Sequence, residues 1–177
     1  MNRLAAQIAA TNHSWNKAGF ERDANKGLAK LEFADRVRHI AGGLRKHLPQ
    51  SVPTALSILT ESLPPPLPTC DATSDGWLQW PIGQFIADFG IDHYRESMDA
   101  MIQLTQRLTS EFAVRPFVEL YPQLIFNELL SLSQSPNPHI RRWCSEGIRP
   151  RLPWGKKLHA LVKDPSPILP ILEALKD

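Results

Sequence analysis

Apolar positions recur at helical spacing along most of the chain. Phe33, Val37, Ile40, Ala41, Leu44 and Leu48 form a stripe that stops before Pro49, which predicts an amphipathic helix. A second helix is expected from about Pro53, with Leu56, Leu59 and Leu63 on its apolar side. Residues 64–81 break the pattern with Pro64-Pro65-Pro66, Pro68, Asp75-Gly76, Trp77 and Trp80, and read as a proline-rich loop. Its tryptophans either pin the loop onto the helices or stack on a ligand.

Beyond the loop a helix is expected from about Asp92, an N-cap candidate, with Met98, Met101, Ile102, Thr105 and Leu108 on one face. Methionines at that spacing read as core filler. A segment from Ser110 to Val118 reads as helical around Pro116, and another helix begins near Pro122 with Ile125, Phe126, Leu129, Leu130 and Leu132. Asn137-Pro138 pairs an N-cap with proline at the first helical position. Ser166-Pro167, or Asp164-Pro165, repeats the device before Ile168, Leu169, Ile171, Leu172 and Leu175.

Period-two alternation is hard to find, so the fold class is all-α. Ser110-Glu111-Phe-Ala-Val-Arg115-Pro116 is echoed by Ser145-Glu146-Gly-Ile-Arg149-Pro150, 35 residues later. Short paired helices with such an echo favour a helical-repeat α-solenoid over a closed bundle, spanning residues 1–177 as a single domain.

Composition supports this. The 177 residues are 42% hydrophobic, enough for a core, and carry 16 Pro against 9 Gly, which suits many helix starts and stops. Cys70 and Cys144 lack metal-ligand spacing and read as free thiols in a reducing cytoplasm. The apolar stretch Leu4 to Ala10 is short and interrupted by Gln7, unlike a signal peptide, and no run approaches the roughly 18 apolar residues of a membrane span. A soluble, cytoplasmic protein is expected. The histidines show no paired ligand spacing, so no metal and no cofactor are expected, and neither a phosphate-cradling glycine loop nor a nucleophile elbow is present.

The net charge of +2 conceals an asymmetry. Between His139 and Lys163 lie seven basic residues (Arg141, Arg142, Arg149, Arg151, Lys156, Lys157 and Lys163) and a single acid, Glu146. That segment is +6 and the remainder −4, a distribution suited to a polyanion surface. On a helix from His139 to Arg149, Ile140, Trp143, Cys144 and Ile148 would face the core, while Arg142, Ser145, Glu146 and Arg149 face away. Pro150 ends that helix, and Arg149-Pro-Arg151-Leu-Pro-Trp154 becomes a stiff turn presenting guanidinium groups beside an aromatic. This suits a nucleic-acid backbone, though a solvated arginine-rich helix has the same local pattern. Glu146 has two readings: a local ion pair with Arg142 or Arg149, or a carboxylate facing a cationic centre or activating water. Glu111, four residues before Arg115, holds the equivalent position one repeat earlier.

Three blocks carry a family resemblance: Thr109 to Phe117, Asn137 to Trp154, and Asp164 to Lys176. They resemble successive blocks of the AlkC branch of the AlkD-like DNA glycosylases, with weaker similarity in helix pattern back to about Phe20. The resemblance implies a HEAT-like solenoid (α-α superhelix) whose concave basic face holds double-stranded DNA. It implies base excision repair by hydrolysis of the N-glycosidic bond of cationic alkylated bases such as 3-methyladenine, without burying the base in a deep pocket. Matched by position, Glu146 and Glu111 become the acidic candidates and Trp154 the aromatic wall. Arg149 and Arg151 become backbone clamps, Arg142 supports them, and Lys156 and Lys157 extend the DNA-binding surface.

In the resembled family a further helical repeat follows, with a Val-Arg-Arg run and a stretch supplying another acid. The chain reads as a truncated member, whose last helix would offer an apolar edge to a partner or a second copy. A different class is also compatible with the sequence: a non-catalytic helical-repeat module that binds DNA or protein.

Overall fold

The computed structural model describes residues 2–70 and 76–176. Among these residues the regular structure is helical, with no strand: α1 (Asn2–Thr11), α2 (Lys17–Asn25), α3 (Phe33–His47), α4 (Val52–Glu61), α5 (Trp80–Phe89), α6 (Tyr94–Thr105), α7 (Arg115–Leu120), α8 (Pro122–Leu132), α9 (Pro138–Glu146), α10 (His159–Lys163) and α11 (Leu169–Ala174). Helices α2, α3, α5 and α7 stack in one row, and α1, α4, α6, α9 and α11 in a second. Helix α8 packs on α7, α9 and α11. Each short helix buries one stripe against the neighbouring repeat, which is how a helical-repeat solenoid accumulates a core. That core runs without interruption from Leu4 and Ile8 through Phe20, Leu44, Phe85, Met101 and Phe117 to Trp143 and Ile171.

The helix starts are set by chemistry legible in the chain. Ser51 Oγ accepts from Thr54 N at α4, and Asn137 Oδ1 accepts from His139 N at 2.9 Å at α9. Proline stands in the first turn of α4, α5, α7, α8, α9 and α11, where a missing N–H costs nothing.

Several boundaries differ from expectation. The loop expected over 64–81 ends earlier: residues 76–79 form a 3-10 turn and α5 begins at Trp80, with Pro81 in its first turn rather than breaking it. Residues 71–75 of that loop lie outside the described residues. Helix α5 itself was not anticipated, although Ile82, Phe85 and Ile86 give it a buried face. Helices α1 and α2 were also missed; Leu4, Ala5 and Ile8 of the short apolar stretch from Leu4 to Ala10 are core residues. His93, not Asp92, precedes α6. The segment from Ser110 turns irregularly through Val114, and α7 starts at Arg115 because Pro116 belongs to its first turn. Helix α9 ends at Glu146, three residues short of the expected Arg149. At the C-terminal end the proline device starts a short 3-10 turn, Ser166–Ile168, ahead of α11.

No helix among the described residues is long and apolar enough to cross a membrane.

Candidate nucleic-acid interface

The basic segment is built on α9. Ile140, Trp143 and Cys144 are buried on its inner side and Ile148 follows them, as the periodicity requires. Gly147 closes the helix against the preceding repeat; a Cβ there would sit 2.8 Å from Val114 Cγ1, so any larger residue forces the two turns apart. Arg141 is occupied by the Ser135 carbonyl, to which its Nη1 donates at 2.7 Å.

Arg115 fastens the turn that follows. It is 1% exposed, its Nε donates to the Lys156 carbonyl at 2.5 Å, and its Nη1 donates to the Gly147 carbonyl at 3.1 Å. One buried guanidinium thus ties together both ends of the stretch 147–156. Burial pushes its pKa below the ordinary arginine value, with Glu119 and Glu111 opposing that shift. Within the turn, Gly155 N donates to the Leu152 carbonyl and Leu158 N to the Pro150 carbonyl. Trp154 is held at φ 60°, a left-handed backbone costly for a residue with a Cβ, and is 86% exposed.

The two candidate carboxylates stand in different settings. Glu111 is buried, and Arg142 Nη1 donates to its Oε1 at 2.6 Å while Arg142 Nη2 donates to the Leu108 carbonyl. Glu146 is partly open, with its side chain 33% exposed, and accepts from Arg149 Nη1 at 2.8 Å. The local pairing expected of Glu146 with Arg142 is not made, because Arg142 turns to the previous repeat. Exposed pairs at this spacing contribute only about 0.2–0.5 kcal/mol, so Arg149 can exchange Glu146 for a phosphate at small cost.

Of the other expected contacts, Lys156 Nζ donates to Glu119 Oε2 at 2.5 Å. Arg151 and Lys157 are exposed without an ion-pair partner among the described residues. They are free to meet a polyanion.

Beside this cationic turn lies an apolar feature. Phe33, Ala34, Trp77, Trp80, Phe112 and Trp154 line a cavity of about 550 Å³. Trp77 stacks on Trp80 with ring centroids 5.1 Å apart, and Phe33 meets both edge-on. Phe112, next in the chain to Glu111, lies 5.0 Å from Trp80. Trp77 therefore does not bury itself to pin the loop; it is 60% exposed. Phe33, assigned by its spacing to the core stripe of α3, is 52% exposed and faces these rings. Phe112 and the burial of Arg115 escaped the sequence reading. The echo of Arg115-Pro116 in Arg149-Pro150 marked Arg115 as special, but not as a buried clamp.

Among the described residues no group of histidine, cysteine and carboxylate side chains is arranged to hold a metal ion.

The two-row helical solenoid with its cationic turn defines the class as an all-α helical-repeat protein whose fold is like that of AlkC. The chain superposes on Pseudomonas fluorescens alkylpurine DNA glycosylase AlkC, solved bound to DNA containing an abasic site analog, with a TM-score of 0.86 and 30% identity over 98% of this chain and 47% of that one. It is also 40% identical over 146 residues to the uncharacterized protein YhaZ of Bacillus subtilis (strain 168), covering 82% of this chain and 39% of YhaZ. The chain spans less than half the length of either protein. No protein-family profile matches it.

Proposed function

We propose that this chain is the helical-repeat part of a DNA glycosylase of base excision repair, acting in the cytoplasm on double-stranded DNA with cationic alkylated bases such as 3-methyladenine. Residues 1–177 act in this reading as a single HEAT-like unit. The observation that carries it is the placing of Glu146: a partly open carboxylate, held by an exposable arginine, on the helix that leads into the cationic turn.

Alkylation at a ring nitrogen makes the base a cation and a ready leaving group. The C1′–N bond breaks with its electron pair going to the base, and the sugar becomes oxocarbenium-like. Water then adds at C1′ and loses a proton, leaving an abasic site and the free base. A carboxylate stabilises the developing positive charge and takes the proton from water. In this reading Glu146 takes that role, its partly open carboxylate supporting it. Glu111, the second acidic candidate, is held in place by Arg142. Arg149, Arg151 and Lys157 contact phosphates, and Trp154 provides an aromatic wall.

The competing reading is a binding module that holds DNA or protein without chemistry, its C-terminal edge docking a partner or a second copy. The exposure of Leu169 and Leu172 favours such an edge. Incubation with a 3-methyladenine-containing duplex separates the two. Release of free base and alkali-labile strand breaks support the glycosylase; DNA retention without release supports the module.

A further inference from the structure

We propose that Cys70 and His139 form a thiol–imidazole pair that makes Cys70 a site of reversible mixed-disulfide formation with low-molecular-weight disulfides. Neither residue takes part in the glycosylase reading, and the proposal stands apart from it.

The pair joins two segments 69 positions apart. Cys70 Sγ lies 3.6 Å from His139 Nδ1, and the other ring nitrogen, Nε2, lies 3.1 Å from the Leu67 carbonyl oxygen. A carbonyl can only accept, so Nε2 carries the ring proton. Nδ1 of the neutral ring is then an acceptor, and the thiol donates to it. His139 is 4% exposed, and among the described residues its Nδ1 has no partner except this thiol. A buried base is thus aimed at a sulfur that is itself exposed.

Both partners are fixed in place. His139 stands in the first turn of α9, where Asn137 Oδ1 accepts from its N–H. On the other side, four prolines restrict residues 64–70. Leu67 N donates to the Gln106 carbonyl at 2.9 Å, and Gln106 Oε1 accepts from Asn137 Nδ2 at 3.0 Å. The cations on the elements holding the pair are engaged elsewhere: Arg107 with the Pro64 carbonyl, Arg141 with the Ser135 carbonyl and Arg142 with Glu111. Residues 64–70 carry no charged side chain. The imidazole is therefore the group set to take the thiol proton.

The reaction is an exchange. The Cys70 proton passes to Nδ1, the thiolate attacks one sulfur of the disulfide, and a new S–S bond forms as the old one breaks. The departing thiolate takes the proton from the imidazolium and leaves as a thiol. Cys70 is oxidised and half of the small disulfide is reduced. Cys144, buried and with its thiol pushed up to about 12, stays out of the exchange.

The test is the rate at which glutathione disulfide modifies the full chain, followed at each cysteine by peptide mass spectrometry. The range runs from roughly pH 5 to 9, spanning ordinary imidazole and thiol titration. The native chain should gain one adduct, on Cys70, which dithiothreitol removes and Cys70→Ser prevents. Two interacting groups lose their protons in two macroscopic steps, so the native rate should rise twice with pH. In urea the pair is lost, and the Cys70 rate should rise once. His139→Gln keeps an amide donor for the Leu67 carbonyl but has no base. It should react at least about 10-fold more slowly near pH 7, with a single rise. A single rise in the native wild type that superposes on the urea profile would overturn the proposal, and so would His139→Gln reacting at the wild-type rate. The comparison of native and urea profiles needs no variant, so it decides the matter even where His139→Gln does not fold.

Discussion

Arg142 reaches back 31 positions to donate to Glu111 Oε1 at 2.6 Å, so the carboxylate of one repeat is neutralised by the arginine of the next. The side chain of Glu111 is only 11% exposed, whereas that of Arg142 is 36% exposed. The buried partner therefore depends on the exposed one more than the reverse.

Arg142→Ala is expected to leave the Glu111 carboxylate buried and unpaired, costing about 1–3 kcal/mol once partial exposure is allowed for. Glu111→Gln should cost less, because an amide needs no countercharge. The double variant should recover part of the Arg142→Ala loss in urea denaturation. Strictly additive losses would show that the pair is not energetically coupled.

Arg115→Met should remove the clamp between Gly147 and Lys156 and orphan two carbonyl acceptors, lowering stability by about 1–3 kcal/mol. Because Arg115 is 1% exposed, it cannot touch DNA itself. The salt dependence of DNA binding should nevertheless flatten, as Arg149, Arg151 and Lys157 lose their fixed positions. Arg115→Lys should not restore it, since one ammonium cannot replace the planar fork at two carbonyls. An unchanged salt slope in Arg115→Met would show that the turn holds its shape unaided.

The two thiols should behave differently. Burial pushes the Cys144 thiol up to about 12, and Cys70 is exposed, 3.6 Å from His139 Nδ1. An aromatic disulfide reagent should label one thiol rapidly in the native protein and the second only on unfolding. Two equally fast native thiols would contradict the packing of α9.

Asp23 links acid stability to α2 and α3. Hydrogen bonds from Lys46 and then His47 hold its carboxyl well below the usual carboxylate range. A carboxyl depressed in the folded state contributes stability above its unfolded value, near pH 4, and loses it as pH falls further. Asp23→Asn should therefore be less stable at pH 7 and show a shallower loss of urea midpoint below about pH 4. A parallel pH profile would show that this triad adds nothing to folding.

The sequence revealed what local rules control. Asn137-Pro138 wrote the start of α9, and Ile140, Trp143, Cys144 and Ile148 wrote its buried side. Pro81 was misread because proline at a helix start and proline in a loop look alike until the following Ile82-Phe85-Ile86 spacing is weighed. At the candidate site, the spacing of Glu146 to Arg149 foretold their pairing, since both partners lie within one turn. The pairing of Arg142 with Glu111 and the burial of Arg115 depend on how one repeat packs on the next, which no spacing within a single helix reports. Phe33 shows the same limit: its period places it with the core stripe, but as the first residue of α3 it stays half exposed and meets Trp77 and Trp80 edge-on.

The central claim is that Glu146 acts on the sugar–base bond while Arg149 holds the backbone. Single-turnover release of 3-methyladenine from duplex DNA, measured alongside DNA affinity, tests this for Glu146→Gln and Arg149→Ala. Glu146→Gln should lose release by about 100-fold or more while keeping or slightly gaining affinity, because it removes a charge that repels phosphate. Arg149→Ala should weaken affinity with a flatter salt slope. Release by Glu146→Gln at the wild-type rate would contradict the account.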